Sequence, residues 1–251
     1  MLLAIDIGNS AIKFAYFESG KNTGGFSLSS LTDRTEDEYA MILGQAFCGH
    51  NFDRAAVSSV VPSLTFKVCS AVKRVTGKDP LVIGHGVRTG LDIRTDYQTE
   101  LGSDIVANCV AAGKMTSGAY IVVDLGTATT LSCVNGNRVF CGVMIMPGVN
   151  AGLDSLGKTC ANLPGAALRP PKGLLGKNTA DSVAGGVVYG HAAMIDGLIG
   201  RVTEERPGEK FEVFVTGGCA GEVAPYCKTP LRHVPDLTLR GIAQIGELNS
   251  K

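Results

Sequence analysis

The fold is decided by the stretch LLAIDIGNS at residues 2–10, in which an apolar run stops at Asp6 and turns through a glycine. Such a run predicts a buried strand, and the apolar run at residues 12–17 predicts its hairpin partner. The stretch VVDLGTA at residues 122–128 repeats this order of strand, Asp-x-Gly turn and strand. Asp6 and Asp124 are 118 residues apart (124 − 6), which is about the size of one small domain. We therefore expect two related lobes rather than a solenoid of short repeats.

The rest of the chain alternates predicted strands and helices. We predict further strands at residues 55–61, 80–83, 119–123, 130–134, 139–146 and 211–215. We predict helices at residues 36–47, 63–75, 101–115, 179–201 and 236–248. This order indicates an α/β fold in which residues 1–115 form an N-terminal lobe and residues 116–251 a C-terminal lobe, with the last helix free to pack back on the first lobe.

Composition limits the classes of function. Lysine plus arginine and aspartate plus glutamate number 23 each, so the net charge is zero. A balanced surface offers no electrostatic reason to expect nucleic acid or an acidic membrane as partner. The N-terminus has no basic segment of the kind that opens a signal peptide, and we expect no apolar stretch of the ~20 residues that cross a bilayer. We therefore expect a cytoplasmic protein that acts on a small molecule.

The eight cysteines do not form a metal site or a redox motif. None belongs to a Cys-x-x-Cys pair, and none lies at zinc-like spacing from a histidine. Several lie within apolar runs, where a free cysteine behaves as a small hydrophobic residue. We expect reduced thiols with a structural role.

The two Asp-x-Gly turns have the chemistry of a phosphate site. A glycine after the strand lets the backbone approach a phosphate, and Asn9, Ser10 and Thr127 supply amide and hydroxyl donors. The aspartate would repel a phosphate, so it needs Mg²⁺ or a monovalent cation between them. Asp and Gly are also common in ordinary hairpin turns. The pair, together with TGG at residues 216–218 after a third strand, predicts a clamp on the phosphate tail of a nucleotide.

The layout resembles the actin–hexokinase–Hsp70 superfamily, and nearly the whole chain resembles the type III pantothenate kinases, the CoaX-like enzymes. The motifs that carry this resemblance are AIDIGNS at 4–10, VSSVVPSL at 57–64, TGL at 89–91, GSD at 102–104 with Asn108, VVDLGTATT at 122–130, PG at 147–148, GKNT at 176–179, TGG at 216–218 and DLTLRG at 236–241. Each motif is weak alone, but their order and spacing are specific. The resemblance implies two ribonuclease H-like (actin/hexokinase-type) lobes, each a mixed sheet flanked by helices.

The same resemblance implies an activity, ATP-dependent phosphorylation of pantothenate to 4'-phosphopantothenate, the first step of coenzyme A biosynthesis. It implies ATP binding by Asp6, Ile7, Gly8, Asn9, Ser10, Ala11, Ile12, Lys13 and Thr127. It implies substrate binding by Gly102, Ser103, Asp104, Ile105 and Thr179. Asp104 would be the catalytic base, Mg²⁺ would accompany ATP, and Asp124 would bind a monovalent cation, K⁺ or NH₄⁺. Gly217 and Gly218 would lie near adenosine.

The physical chemistry of Asp104 agrees with this role without requiring it. The residue lies at the start of a predicted helix, where the helix dipole favours a carboxylate. A simple helix-capping role would place an aspartate there equally well. We expect Gly102 to leave room for substrate beside the carboxylate.

Two departures from the family pattern bear on the substrate. Ile105 stands where the family usually has arginine, and Thr95 stands where it usually has tyrosine. Losing one charge-assisted hydrogen bond costs on the order of 1.5–3 kcal/mol, although Tyr97, Lys177 or Arg94 could compensate. The alternatives are a kinase for another small alcohol, or a catalytically weak, nucleotide-binding regulatory paralogue, since the Bvg accessory factor proteins share this fold.

The resemblance also implies a homodimer with pantothenate bound near the subunit interface. The predicted helix at residues 179–201 carries glycines at five positions, which permit close helix packing. That packing could lie between subunits or within one lobe.

Overall fold

The computed structural model describes residues 1–96, 100–160 and 167–250. They form two units. The first unit contains Met1–Leu91, Asp96–Lys114 and Asp236–Lys251, and the second contains Asp92–Thr95 and Met115–Pro235. Tyr97, which the sequence offers as a substitute for the family tyrosine, lies outside the described residues.

The strands and helices follow one another along the chain. The strands are β1 Leu2–Ile7, β2 Ala11–Glu18, β3 Lys21–Ser29, β4 Arg54–Ser59, β5 Leu81–Val82, β6 Asp92–Ile93, β7 Ala119–Leu125, β8 Ala128–Val134, β9 Val139–Pro147, β10 Phe211–Thr216 and β11 Arg232–His233. The helices are α1 Glu36–Ala46, α2 Pro62–Thr76, α3 Ser103–Gly113, α4 Val149–Thr159, α5 Thr179–Glu205, α6 Ala220–Val223 and α7 Leu237–Leu248.

The first unit is built around β1, at the centre of a sheet ordered β3-β2-β1-β4-β5. β1 is antiparallel to β2 and parallel to β4. Leu3 belongs to an apolar cluster with Leu43 of α1 and Leu64 of α2 on one face of the sheet. On the other face, α7 comes so close that a Cβ on Gly246 would lie 3.0 Å from a methyl group of Leu2. Burial on both faces explains why β1 is continuously apolar rather than alternating.

The second unit repeats this arrangement around β7. Its sheet is ordered β11-β10-β7-β8-β9-β6, with β7 antiparallel to β8 and parallel to β10. Apart from the added edge strand β6, the order and directions match those of the first unit, with β7 in the place of β1 and β10 in the place of β4. Ile121 and Val123 of β7 pack in a cluster with Leu153 of α4 and Ile195 of α5. The predicted α/β fold of two related lobes is confirmed.

Five described elements were not predicted from the sequence: β6, β11 and α6, which are only two to four residues long, and the longer β3 and α4. β3 reads KNTGGFSLS and is mostly exposed, so no apolar run marks it; its pairing with β2 forms it instead. α4 contains two glycines, which lower helix propensity by about 1 kcal/mol each. It is stabilised by burying Val149 and Leu153.

Helix α5 corrects the expectation that no segment approaches the length of a membrane span. It has 27 residues and is apolar enough, by length and composition, to cross a bilayer. In the structure, 39% of its apolar window is buried within the protein, and Ile195 and Ile199 lie in the core of the second unit. Core helices of soluble proteins meet the same length and composition criterion.

The eight cysteines are all free thiols, as expected. Burial raises the pKa of the Cys69 thiol to about 11, and it raises the pKa of the Cys133 thiol to about 12 with a contribution from nearby Cys141. Burial also raises the pKa of the Cys227 thiol to about 11. Cys48 is exposed. Since the thiolate is the reactive form, protonation protects these three thiols, and the Cys133 thiol is also buried.

We therefore predict that a short iodoacetamide pulse at pH 8 modifies Cys48 of the native protein and leaves Cys69, Cys133 and Cys227 unmodified. In guanidinium chloride all four should react at comparable rates, because unfolding exposes the thiols and returns their pKa to the usual range. Peptide mass spectrometry measures the labelled fractions. Rapid labelling of Cys133 in the native protein would contradict the burial described here.

Candidate active site

The first Asp-x-Gly turn joins β1 to β2. Asp6 is half-buried at the end of β1, and Asn9 and Ser10 are exposed at the tip. The Gly8 amide donates a hydrogen bond of 3.0 Å to the Ala11 carbonyl. A Cβ on Gly8 would lie 3.2 Å from that carbonyl oxygen, so the tight turn favours glycine.

Neighbouring segments hold the carbonyl groups of this turn. The Ser30 hydroxyl donates to the Gly8 carbonyl at 2.6 Å, and the Ser30 amide donates to the Ser10 carbonyl at 3.2 Å. The Val60 amide donates to the Ile7 carbonyl at 3.1 Å. Because its carbonyl groups are bonded to the protein, the turn is held in one conformation.

The remaining residues that the resemblance assigns to ATP differ in exposure. The side chains of Ile7 and Ile12 are fully buried in the core of the first unit. Ala11 is half-buried, and Lys13 is exposed on β2 opposite Asp6. The two isoleucines therefore shape the hairpin from inside, and only their backbone groups remain for a ligand.

Asp104 lies in the first turn of α3, as the sequence predicts. It is half-buried, and its Oδ1 accepts a hydrogen bond of 2.8 Å from the Ile105 amide. A Cβ on Gly102 would lie 2.5 Å from that Oδ1. The space beside Gly102, which we expected to receive substrate, is occupied by the Asp104 carboxylate itself.

The two side chains that flank Asp104 point into the first unit. Ser103 is 8% exposed and Ile105 is 7% exposed. The Ser103 hydroxyl lies 2.9 Å from the Ser58 hydroxyl and accepts a hydrogen bond of 3.0 Å from the Ser59 amide. Of the predicted substrate residues in this segment, only Asp104 and Gly102 retain partial exposure.

The second Asp-x-Gly turn joins β7 to β8. Asp124 is half-buried at the end of β7, and Thr127 is exposed at the tip. Gly148, which follows β9, packs directly on this turn, since a Cβ there would lie 2.2 Å from the Thr127 carbonyl oxygen. A Cβ on Gly126 would lie 3.2 Å from the Asp124 Oδ1. Backbone atoms therefore pack against the turn, and a side chain at Gly148 would not fit there.

The loop after β10 packs on the same turn. Gly217 has a φ of 99°, and a Cβ there would lie 2.4 Å from the Leu125 carbonyl carbon and 2.6 Å from the Asp124 Oδ1. The Cys219 amide donates to the Leu125 carbonyl at 3.0 Å. Gly218 is exposed, and a Cβ on it would have nothing within 4 Å. Gly217 is thus a packing residue, whereas Gly218 has open space beside it.

The two turns are built alike. In the first unit the Val60 amide bonds the carbonyl of Ile7, the residue after Asp6, at 3.1 Å. In the second unit the Cys219 amide bonds the carbonyl of Leu125, the residue after Asp124, at 3.0 Å. The segment that follows the neighbouring parallel strand therefore gives the same support at both aspartates.

Thr179 lies in the second unit and is exposed in the first turn of α5. The Asn178 side chain caps this helix by accepting from the Asp181 amide at 2.9 Å. Thr179 also lines an apolar groove of about 480 Å³ between α4 and α5. His191, on the same groove, is 2.9 Å from the Val187 carbonyl through Nδ1.

The residues that the sequence offers in place of the missing arginine differ in availability. Arg94 is ion-paired to Asp92 at 2.6 Å, whereas Lys177 is exposed. The Thr95 hydroxyl is buried and has no hydrogen-bond partner within the described ranges.

Within residues 1–96, 100–160 and 167–250 there is no cluster of three or more His, Cys, Asp or Glu side chains that could hold a metal ion. Magnesium that arrives with a nucleotide needs only one or two protein carboxylates, because the phosphates and water complete its coordination. Asp6 and Asp124 are each half-buried beside a glycine turn.

The packing of Gly217 generates a test with a matched control. We predict that Gly217→Ala lowers the free energy of unfolding by about 2–4 kcal/mol, because the backbone has positive φ and the added methyl meets the second turn. Gly218→Ala should change it by no more than about 0.5 kcal/mol. Urea denaturation followed by circular dichroism measures both. Equal stability of the two variants would show that Gly217 does not pack as described.

The chain matches known proteins along its length. The model of one family, type III pantothenate kinase, matches residues 2–201. A type III pantothenate kinase of Paramagnetospirillum magneticum is 37% identical over 256 residues, covering 100% of this chain and 98% of its own. A type III pantothenate kinase of Moorella thermoacetica is 36% identical over 255 residues, covering 100% of both chains.

Solved structures of lower identity share the fold. A Campylobacter jejuni protein described as a Baf family transcriptional activator is 20% identical, with a TM-score of 0.63 over 98% of each chain. A ROK hexokinase from Thermus thermophilus is 12% identical, with a TM-score of 0.55 over 100% of this chain and 99% of its own. These likenesses support the actin/hexokinase-type fold. The match of residues 2–201 and the full-length relatives together show that the chain belongs to the type III pantothenate kinase family.

Proposed function

We propose that the protein transfers the γ-phosphate of ATP to the primary hydroxyl of pantothenate, giving 4'-phosphopantothenate and ADP as the first step of coenzyme A biosynthesis. The observation that carries this proposal is the match to the family along the whole chain. We place the enzyme in the cytoplasm, where its phosphoryl donor ATP is made and used.

We assign the phosphate tail of ATP to the two Asp-x-Gly turns. The exposed residues at their tips, Asn9, Ser10 and Thr127, carry amide and hydroxyl donors. The open space beside Gly218 suits the nucleoside better than the packed position of Gly217 does. Rigid turns favour this use, since donors that are already in place cost no reordering when a phosphate binds.

The carboxylates of Asp6 and Asp124 fit the cations that the reaction needs. We assign Mg²⁺ to the nucleotide phosphates with Asp6 nearby, and a monovalent cation, K⁺ or NH₄⁺, to Asp124. Gly126 and Gly217 both lie close to the Asp124 carboxylate, so no side chain from either position crowds it. When bound, these cations neutralise charge on the phosphates.

We assign the role of base to Asp104. In phosphoryl transfer such a carboxylate accepts the proton of the attacking hydroxyl and, above all, orients that hydroxyl. The Ile105 amide and the close approach of Gly102 fix the orientation of the Asp104 carboxylate. The half-buried position keeps one side of it accessible to a substrate hydroxyl.

The acceptor site supports a second candidate, a kinase for another small alcohol. Ile105 is buried, and its side chain offers no donor to a carboxylate. Arg94 is already paired with Asp92. Thr179 and Lys177, two of the residues that the sequence offered for the acceptor, are exposed and polar.

The test is an assay of ADP release from ATP by the purified protein with Mg²⁺ and K⁺, with and without pantothenate, and with products identified by mass. We expect pantothenate-dependent ADP and a product of the mass of phosphopantothenate. Turnover with another alcohol but not with pantothenate would favour the second candidate. Nucleotide binding without any turnover would favour a regulatory paralogue.

In the same assay, Asp104→Asn should lower kcat by about 100-fold or more while the Kd for ATP stays within about twofold, because the base acts in the transition state. Asp37→Asn is the matched control, since Asp37 also lies in the first turn of a helix of this unit but pairs with Arg74. The control should keep the wild-type kcat. Full activity of Asp104→Asn would refute the assignment of the base.

We propose further that the enzyme is a homodimer joined through the groove between α4 and α5. Leu174 and Leu175, just before α5, are 68% and 86% exposed, which is costly for leucines in water. On α5, Gly186 and Gly190 face open space, so nothing in the described chain packs on them. A second subunit would cover this surface.

Sedimentation velocity tests the dimer. We predict that the wild-type protein sediments as a dimer and that Gly186→Trp sediments as a monomer, because the indole obstructs close approach of a second α5. Gly44→Trp, at an equally open helix position in the first unit, should stay dimeric. A monomeric wild-type protein would contradict this proposal.

A further inference from the structure

A pair of buried serine hydroxyls lies next to the proposed base. Ser58 near the end of β4 is 0% exposed, and Ser103 at the start of α3 is 8% exposed. Their Oγ atoms are 2.9 Å apart, a hydrogen bond in which either can be the donor. Buried hydroxyls of this kind are unfavourable unless they are paired, so the two serines stabilise one arrangement of β4 and α3.

The Ser103 hydroxyl makes its contacts with β4 alone among those described. It accepts from the Ser59 amide at 3.0 Å and lies at 3.3 Å from the Ser59 carbonyl, to which it can also donate. One hydroxyl has a single donor and two acceptor sites. The bonds to Ser58 and Ser59 therefore use the hydrogen-bonding capacity of Ser103 inside the protein.

The same end of β4 is joined to the first Asp-x-Gly turn. In the parallel pairing of β1 and β4, Ser58 is opposite Asp6 and Ser59 is opposite Ile7. The Val60 amide then bonds the Ile7 carbonyl at 3.1 Å. A short path of hydrogen bonds thus runs from the first turn through β4 to the residue before Asp104.

Other described hydrogen bonds brace β4 and the body of α3, and the Ser103 hydroxyl bonds the start of α3 to β4 beside the buried Ile105 side chain. The Thr65 hydroxyl of α2 donates to the Ser59 hydroxyl at 2.7 Å, which braces β4. The Thr238 hydroxyl of α7 donates to Asn108 at 2.8 Å, one turn further along α3. The N-terminal end of α3, where Asp104 lies, is fastened by Ser103.

We propose that Ser58 and Ser103 are positioning residues, which hold the Asp104 carboxylate at a set distance from the first Asp-x-Gly turn. The inference rests on the proposed function, and it gives Ser103 a role inside the protein rather than a contact with substrate. A displacement of about 1 Å in a reacting group can lower a rate by about 100-fold. The two serines affect the rate because they determine the position of the Asp104 carboxylate.

The experiment compares Ser58→Ala, Ser103→Ala and the double variant with Ser70→Ala. Ser70 donates one hydrogen bond of 2.7 Å to Glu36 on the outside of the same unit and serves as the matched control. We expect kcat to fall about 10- to 100-fold in the three test variants, with KM for ATP within about twofold of wild type. The double variant should lose no more than the worse single one, since both break the same bond. The control should keep the wild-type kcat.

Ser103→Ala leaves the buried Ser58 hydroxyl without its hydrogen-bond partner, which can prevent folding. The double variant removes both hydroxyls and therefore still tests the inference if Ser103→Ala does not fold. Wild-type kcat in the double variant would overturn it. A loss confined to KM for pantothenate would also overturn it, since that result means direct contact with substrate. Asp104→Asn, assayed in parallel, tests the base separately: if it keeps full kcat, the proposed base is wrong whatever the serine variants do.

Discussion

Close packing of backbone on backbone around the second Asp-x-Gly turn is the constraint on which the rest of the structure depends. Gly148 and Gly217 approach the turn so closely that a Cβ on either would overlap its carbonyl groups. That contact brings the ends of β9 and β10 to the end of β7, where Asp124 lies beside Gly126 and Gly217. Because backbone atoms rather than adaptable side chains pack on this turn, the turn has one geometry. A phosphate site depends on such a fixed geometry.

In the first unit, hydrogen bonds hold the Asp-x-Gly turn in one geometry. Ser30 bonds the carbonyls of Gly8 and Ser10, and Val60 bonds the carbonyl of Ile7. The common element is the segment that follows the parallel strand beside the central one, which donates an amide to the carbonyl of the residue after each aspartate. The first unit then adds α3, which supplies a half-buried carboxylate at a helix N-terminus, whereas the second unit adds α4 and the long helix α5.

Much of the fold was predictable from the sequence because the central hairpins are continuous apolar runs broken by glycine. β3 was not, since its exposed, polar residues acquire strand structure only by pairing with β2. Within the site, the sequence spacing places Asp104 at the start of a helix, but spacing does not determine the direction in which a neighbouring side chain points. Ser103 and Ile105 therefore read as substrate residues, and the three-dimensional packing turns both inward. Gly217 likewise reads as part of a ligand loop until its contact with Leu125 is seen.

The central claim is that both Asp-x-Gly turns contact the nucleotide. Hydrogen–deuterium exchange with mass spectrometry, with and without a non-hydrolysable ATP analogue and Mg²⁺, tests it most directly. The account predicts slower amide exchange in peptides that contain residues 8–10 and in peptides that contain residues 126–127. Protection of other segments, with no change in either turn when the analogue is bound, would contradict it.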